Sequence, residues 1–226
     1  MKGLVRLYRS KLINRLLHTP LYCLQRELKV CSSVLDLGCG PDSPIQHCGI
    51  PYSFGVDIYK PFIETSQNKK MHQAYLIADV SSVNFADKSF DAVVLIEILE
   101  HLTKEEGTLL LEKVEKWARK KIIITTPNGY LAQGALEGNP YEVHNCGWNV
   151  FEFSRRAYKA YGISGWKFLR KENIAGGYGA SGNAMFSTLR FRPYLFWTIV
   201  SGLSQLLTYY FPSLAFEVLY VKNLKE

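Results

Sequence analysis

The feature that most constrains this chain is a series of short apolar runs separated by stretches of helical period. Ser33–Leu37, Ser53–Asp57, Ala74–Asp79, Phe90–Ile96 and Lys121–Thr126 are each four to seven residues long, with few polar residues inside them. A strand that faces water on one side alternates; strands that read as continuous apolar runs are covered on both faces, the mark of a parallel sheet. The intervening stretches agree. A helix is expected from just after Pro61, and Glu105–Arg119 places Leu109, Leu110, Val114 and Trp117 on one face. Farther on, Ser154–Tyr161 reads as a helix, Trp166–Arg170 as a sixth strand and Ala215–Val221 as a seventh. An uncharged helix over 194–210 lies between these last two strands. The expectation is an α/β fold: seven strands, mostly parallel, with helices on both faces and a helical insertion before the last strand. One domain over 30–226 accommodates all of it, behind a helical arm over 1–29 that breaks at Thr19-Pro20.

Charge separates that arm from the body. Of the net +7, residues 1–29 hold +6, because seven Lys or Arg face the single acid Glu27. A basic arm ahead of a near-neutral body suits an acidic partner such as an anionic membrane surface, a nucleic acid or a charged substrate; a solvated helix face is the plainer reading. The arm's apolar residues Leu4, Tyr8, Leu12 and Leu16 are interrupted by cations and do not form a signal peptide. No charge occurs from Pro193 to Phe216, yet Ser201, Gly202, Ser204, Gln205 and Thr208 make this stretch too polar for an expected membrane span. A buried or membrane-surface helix fits better. Cys23, Cys31, Cys39, Cys48 and Cys146 form no Cys-x-x-Cys pair and are odd in number. Reduced thiols in a cytoplasmic protein, peripheral to a membrane where the arm engages one, follow from that.

The first strand runs into Gly38-Cys39-Gly40-Pro41. Glycines after a strand let backbone approach a ligand where a Cβ would clash. A pyrophosphate cradle would carry a third glycine where this chain has Ser43, so a nucleoside without phosphates is the better match. Asp57 closes the second strand and can accept both hydroxyls of a ribose; Asp79 closes the third and can accept an adenine amino group. Each acid alone could be a helix cap or a turn residue. Together they stand at the ends of successive parallel strands, where ligands bind.

Val34-Leu35-Asp36-Leu37-Gly38-Cys39-Gly40, Gly55-Val56-Asp57, Ala78-Asp79-Val80, Phe90-Asp91-Ala92-Val93 and Glu97-Ile98-Leu99-Glu100-His101-Leu102 resemble the successive motifs of class I S-adenosylmethionine-dependent methyltransferases, whose fold is Rossmann-like. Thr126-Pro127-Asn128-Gly129 is similar to that family's turn after the fifth strand. The likeness covers about residues 30–150 in order and spacing. It implies an enzyme that binds S-adenosylmethionine and releases S-adenosylhomocysteine. Gly38, Cys39 and Gly40 would border the methionine part and Asp36 would support the loop. Asp57 with Ile58 would hold the ribose, Asp79 with Val80 would read adenine, and Ile96 would lie near the sulfonium.

Glu97, His101 and His144 are the catalytic candidates, since an oxygen or nitrogen acceptor must lose a proton unless it is already ionised. His101 stands at a helix start, where a side chain also bonds to backbone. His144 lies in the irregular loop after the fifth strand. Glu97, Glu100 and His101 resemble a cluster that binds a divalent cation in quinone-pathway O-methyltransferases, although metal-free relatives carry similar residues and no metal is assigned. The acceptor implied is small or lipid-linked, methylated on oxygen or nitrogen. The Asn-Pro-Tyr-x-Val-His run and the Gly-Trp pair resemble loosely the methyltransferases of polysaccharide and glycolipid synthesis. Alternatives are an isoprenoid-quinone O-methyltransferase with a divalent cation, and a non-catalytic S-adenosylmethionine-binding module. Nucleic acid is disfavoured, because Thr-Pro-Asn replaces the Asn-Pro-Pro-Tyr type of loop used on flipped bases. Tyr141, Trp148, Phe151 and Phe153 would line an acceptor pocket or form core, and Arg155, Arg156 and Lys159 would meet an anionic acceptor or solvent. Tyr178–Gly182 reads as a flexible turn beside the cleft.

Overall fold

A computed structural model describes residues 11–135, 139–171 and 189–224. Its centre is a seven-stranded sheet of β1 (Ser33–Leu37), β2 (Tyr52–Asp57), β3 (Ala74–Ile77), β4 (Phe90–Ile96), β5 (Ala118–Pro127), β6 (Lys159–Trp166) and β7 (Ala215–Asn223). The spatial order is β3-β2-β1-β4-β5-β7-β6. β7 runs antiparallel to β5 and to β6, and the other neighbours pair in parallel. Strand order reverses between β1 and β4, which opens a crevice at their carboxyl ends. This is the mostly parallel α/β sheet that the apolar runs predict.

Alternation along the central strands divides the core in two. From β4, Val93 and Leu95 join Leu35, Leu37, Ile122 and Ile124 on one face, beneath α4 (Lys104–Trp117). On the other face Ala92 and Val94 join Val34 and Ile123, beneath α2 (Pro20–Leu28), which supplies Cys23, Leu24 and Leu28. A short α1 (Lys11–Leu16) precedes α2, and the chain turns between them at His18, whose φ is 49°. Thr19 caps α2 by accepting from the Tyr22 N–H. The break expected at Thr19-Pro20 is therefore present, while residues 1–10 lie outside the described part. In α4, Leu110, Leu111, Val114 and Trp117 are buried and Leu109 is exposed, one position out of phase with the expected face. The reciprocal bonds of Thr103 and Glu106 set that phase by fixing the first turn.

The structure corrects the reading of the region after 150. Ser154–Tyr161 is not a helix, and Trp166–Arg170 is not a strand. α5 spans only Val150–Ser154, capped by Asn149 and Glu152. It stops where Ala157 takes a φ of 62°, and β6 follows from Lys159. Local helical period around Arg155 loses to the buried pairing of β6 with β7. Residues 167–169 form a single 3-10 turn.

The last helix, α6 (Tyr194–Thr208), packs on β6 through its polar side. Gln205 accepts from the Gly165 N–H at 2.9 Å and donates to the Gly162 carbonyl at 2.8 Å. Ser204 accepts from the Trp166 N–H at 2.9 Å. A Cβ on Gly162 would collide with the Thr208 carbonyl oxygen, so the close approach of helix and strand requires glycine there. Preceding α3 (Lys60–Asn68) completes the helices over the β2–β3 connection. No described helix is long and apolar enough to cross a membrane. Because both Gln205 bonds are buried, Gln205→Ala should cost about 2 kcal/mol. In a chain of this size that lowers the thermal midpoint by roughly 4–8 °C. An unchanged midpoint in scanning calorimetry would mean that α6 is not held through this side chain.

Candidate active site

The glycine loop is built from below. Asp36, buried in β1, accepts from Ser43 Oγ at 2.5 Å and lies 3.3 Å from His72 Nε2. Ser43, at the position a third glycine would take, thus ties the far end of the loop to the strand. Gly38 and Cys39 donate to the Val56 carbonyl at 2.7 and 2.9 Å, which fastens the loop to β2. Gly38 has φ +69°, and a Cβ there would collide with Ile98 Cδ1. Left-handed backbone and lack of space both demand glycine. Gly40, at φ +56°, donates to Asp57 Oδ2 at 2.9 Å, while Asp57 Oδ1 accepts from the Tyr59 N–H at 2.8 Å. Burial pushes the Asp57 carboxyl up, and these two N–H donors pull it back. Cys39 is buried between Gly55 and His72, and burial raises its thiol strongly, so it fills space as a neutral group.

The expected cofactor residues meet along one edge. The Ala78 N–H donates to the Asp57 carbonyl at 3.0 Å, bringing Asp79 beside the end of β2. One Asp79 oxygen accepts from the Ser81 N–H at 2.8 Å, so part of this side chain is committed to a turn. Val80 is buried in the core, and Ile58 and Ile96 are half-buried at the strand ends. Ile98 was not among the expected residues. It stands within the Glu97–Leu102 motif with no chemical group of its own, and its contact with Gly38 appears only once the chain is folded.

A second group forms where β4 ends. Glu97 has φ +54°, a costly conformation for a residue with a long side chain. Its N–H is shared between Thr125 O at 3.1 Å and Thr125 Oγ1 at 3.2 Å, which holds the turn in place. The turn directs the chain into a 3-10 segment, Leu99–His101. The loop after β5 is sewn to it by the N–H groups of Asn145 and Cys146, at 2.8 and 3.2 Å from the Glu100 carbonyl. This brings together Glu100, His101 and His144, whose ligating atoms all lie within 4.8 Å of one another. His101 Nδ1 is 3.2 Å from the Val143 carbonyl, and His144 Nδ1 is 2.7 Å from that of Leu131. A carbonyl accepts only, so both rings carry hydrogen at Nδ1 and present Nε2 as an acceptor or ligand.

The electrostatics of this group are those of crowded, poorly solvated acids. Both Glu100 carboxyl oxygens and Glu97 Oε1 are buried from water, and the two carboxyls interact with each other and with Thr125 and Thr126. Burial, reinforced by Glu100 and Glu217, holds the Glu97 carboxyl well above the usual range. Burial also brings Glu100 to about 7. The imidazoles shift the other way. His101 falls to about 4 through burial and the nearby His144, and His144 falls through burial. A carboxylate with two neutral imidazoles is a donor set that could hold a divalent cation such as iron, zinc or manganese, whereas magnesium prefers oxygen donors alone. Glu217 of β7 joins the group unforeseen; its carboxyl is raised by burial and accepts from Ser164 Oγ at 2.5 Å. A lone acid inside the apolar run Ala215–Val221 was the available signal.

Of the four aromatics weighed as pocket or core, Trp148 and Phe153 are core and Tyr141 and Phe151 are exposed. Trp148 donates from Nε1 to the Leu99 carbonyl at 3.1 Å, steadying the segment between Glu97 and Glu100. Arg155 and Lys159 are exposed and Arg156 is half-buried. Tyr178–Gly182 lies outside the described residues.

Comparison with known proteins accords with this geometry. Residues 35–126 match the family model described as "Methyltransferase domain". An (S)-coclaurine N-methyltransferase of Thalictrum flavum subsp. glaucum is 30% identical over 109 residues, spanning 44% of this chain and 29% of that protein. A small RNA 2'-O-methyltransferase of Tetrahymena thermophila is 28% identical over 175 residues, or 64% of this chain and 41% of the relative. The chain thus spans less than half the length of these curated relatives. A crystal structure of a SAM-dependent methyltransferase from Archaeoglobus fulgidus shares the fold over 94% of this chain and 98% of its own, with a TM-score of 0.53 at 17% identity. Residues 35–126 thus match a methyltransferase domain, within a fold shared with a SAM-dependent methyltransferase.

Proposed function

We propose that the chain transfers the methyl group of S-adenosylmethionine to an oxygen of a small or lipid-linked acceptor. We further propose that Glu97, Glu100, His101 and His144 hold a divalent cation beside that oxygen. The observation that carries this reading is the convergence of Glu100, His101 and His144 within 4.8 Å, with the buried Glu97 carboxyl beside that of Glu100. In it, the Gly38–Gly40 loop takes the methionine part of the cofactor, Asp57 accepts from the ribose hydroxyls, and Asp79 with Val80 meets the adenine. Bound S-adenosylmethionine would supply an electrophilic methyl on a sulfonium, for which in-line alignment of the acceptor yields much of the rate. A bound cation would lower the pKa of a coordinated hydroxyl. Glu97, whose carboxylate would keep one oxygen free of the cation, receives the acceptor's proton, and the carbonyls of Leu131 and Val143 keep both imidazoles in the tautomer that presents Nε2 to the cation. One relative is named for a nitrogen acceptor and the other for the 2'-oxygen of small RNA. The oxygen reading rests on the proposed cation, which would acidify a coordinated hydroxyl, and a quinone-type acceptor stays within it. All five cysteines are free, which supports a reducing, cytoplasmic setting.

Calorimetric titration with S-adenosylhomocysteine tests the cofactor half. Binding is expected, and Asp57→Asn should weaken it by about 10–100-fold through loss of a charge-assisted hydrogen bond. No binding by the unaltered chain would defeat the methyltransferase reading. The cation half has its own readout in thermal melts with and without manganese. Glu100 titrates at about 7 when folded against an ordinary 4.5, so the folded state holds the extra proton between those values and metal-free stability falls as pH rises through them. His101, lowered from 6.5 to about 4, opposes this below pH 6.5. At pH 8 Glu100→Gln should therefore melt a few degrees above the metal-free parent. Manganese should stabilise the parent at pH 8, less so at pH 5.5, and leave the variant unmoved. Equal manganese shifts in both proteins would remove Glu100 from the ligand set.

A further inference from the structure

Helix α6 is turned the opposite way from an ordinary surface helix. Its buried residues are Thr198, Ser201, Gln205 and Thr208, while Leu195, Phe196, Ile199, Leu203, Leu206 and Leu207 are 40–57% exposed. A soluble helix hides its apolar stripe. Here the polar stripe is spent on the Gly162, Gly165 and Trp166 backbone, so the apolar stripe has to face outward. Tyr194 opens the helix and the exposed Tyr210 follows its end, amphipathic rings of the kind favoured at a membrane–water boundary. No acid occurs from Leu189 to Phe216, whereas Arg190 and Arg192 stand just before the helix. At its far end Tyr209 stacks on His18 at 4.1 Å and accepts from Arg26 at 2.6 Å. The adjoining α1 exposes Leu12 and Leu16.

Beside the first half of α6 lies a cavity of about 290 Å³ whose walls, among the described residues, include Lys167, Arg170, Lys171 and Arg190 and no acid. The cations are held by the fold. Lys167 donates to the Asn128 carbonyl, and Arg170 reaches Ser164 O and Ser201 Oγ at 3.2 Å each. Arg190 lies 5.5 Å over the Phe168 ring, and Phe168, Phe191 and Trp197 form a chain of ring contacts from the cavity to α6. On its other side the cavity is lined by Pro127, at the end of β5, and by Leu131, whose carbonyl holds His144. One opening therefore adjoins both the apolar helix and the reacting edge.

We propose that the outward face of α6 rests in the interface of an anionic bilayer and that the cavity binds the phosphate of a lipid presented there. This deepens the lipid-linked acceptor proposed for the site and rests on that reading. Complementarity selects the occupant. A second copy of the chain would bring cations to cations along this edge. RNA would meet the cations and leave the apolar stripe in water. A phospholipid surface covers the stripe with chains and the cations with headgroups, each basic residue near such a surface adding about 1 kcal/mol.

Flotation of the full chain on vesicles tests this. With phosphatidylcholine containing phosphatidic acid, the protein should float, at least about 10-fold more than with phosphatidylcholine alone, and salt should reduce the difference. Lys171→Glu with Arg190→Glu, and separately Ile199→Gln with Leu203→Gln, should each lower flotation about 10-fold or more. S-adenosylhomocysteine titration of the same samples verifies folding and separates the two readings. Retained S-adenosylhomocysteine binding without flotation overturns the membrane proposal alone, whereas flotation without such binding overturns the methyltransferase reading. The proposal also fails if the charge-reversed variant floats like the parent. It fails equally if light scattering shows a dimer that Leu203→Gln dissolves, or if a single-stranded RNA or inorganic phosphate binds while vesicles of either composition do not.

Discussion

Much of the catalytic edge hangs on the backbone turn at Glu97. A left-handed conformation at a residue with a full side chain costs on the order of 1 kcal/mol or more, and it persists only where its surroundings over-determine it. Here they do. Thr125 accepts the Glu97 N–H twice from the neighbouring strand, and the Trp148 indole holds the Leu99 carbonyl two residues on. That turn faces Ile98 toward Gly38 and sends Glu100 and His101 toward His144. Cofactor loop and acceptor group are therefore not independent sites. Relaxing φ at Glu97 would disturb the floor of one and the ligands of the other together.

The same turn explains why three acids can be buried so close to one another. Glu97 and Glu100 lie three residues apart across the strained bend, and Glu217 arrives from β7, which runs antiparallel beside β5. Burial disfavours the charged form of each, and mutual repulsion adds to it. Such a group is a poor way to stabilise a fold, since apolar residues of the same size would pack without penalty. It makes chemical sense at a site that exchanges protons or receives a cation, and the two Nδ1–carbonyl pairs that aim neutral imidazoles inward belong to the same arrangement.

What could be read directly from the chain was whatever is written in consecutive residues. β1 and β4 have the expected bounds, because each is a continuous apolar run that ends sharply, β1 at a Gly-x-Gly turn and β4 at the acid Glu97. Asp57 beside Gly40 follows from the pairing of β1 with β2. The failures were non-local. The helix expected at Ser154–Tyr161 gave way to β6, whose reason for being a strand is its partner β7, more than fifty residues later. Glu217 carries no motif and Ile98 is an apolar position within one, and both matter only through what the fold places against them. The cationic cavity draws Asn128, Lys167 and Arg190 from three separate segments, none basic enough to stand out in sequence.

The uncharged stretch before β7 was legible as a helix but ambiguous in its orientation, and the polar residues that ruled out a span supply the reason. Ser201, Ser204 and Gln205 weaken any transmembrane reading if they are assumed to face lipid. Turned inward, Gln205 and Ser204 accept from the Gly165 and Trp166 N–H groups at the irregularity in β6 between Ile163 and Trp166, Ser201 accepts from Arg170, and the opposite side keeps the leucines, Phe196 and Ile199. Composition averages the two faces and so hides the contrast, which exists only after the helix docks. An interrupted edge strand and an inverted helix are thus one device. The strand's irregularity draws the polar side in, and its consequence is an apolar surface whose cationic border meets the cavity at the end of β5.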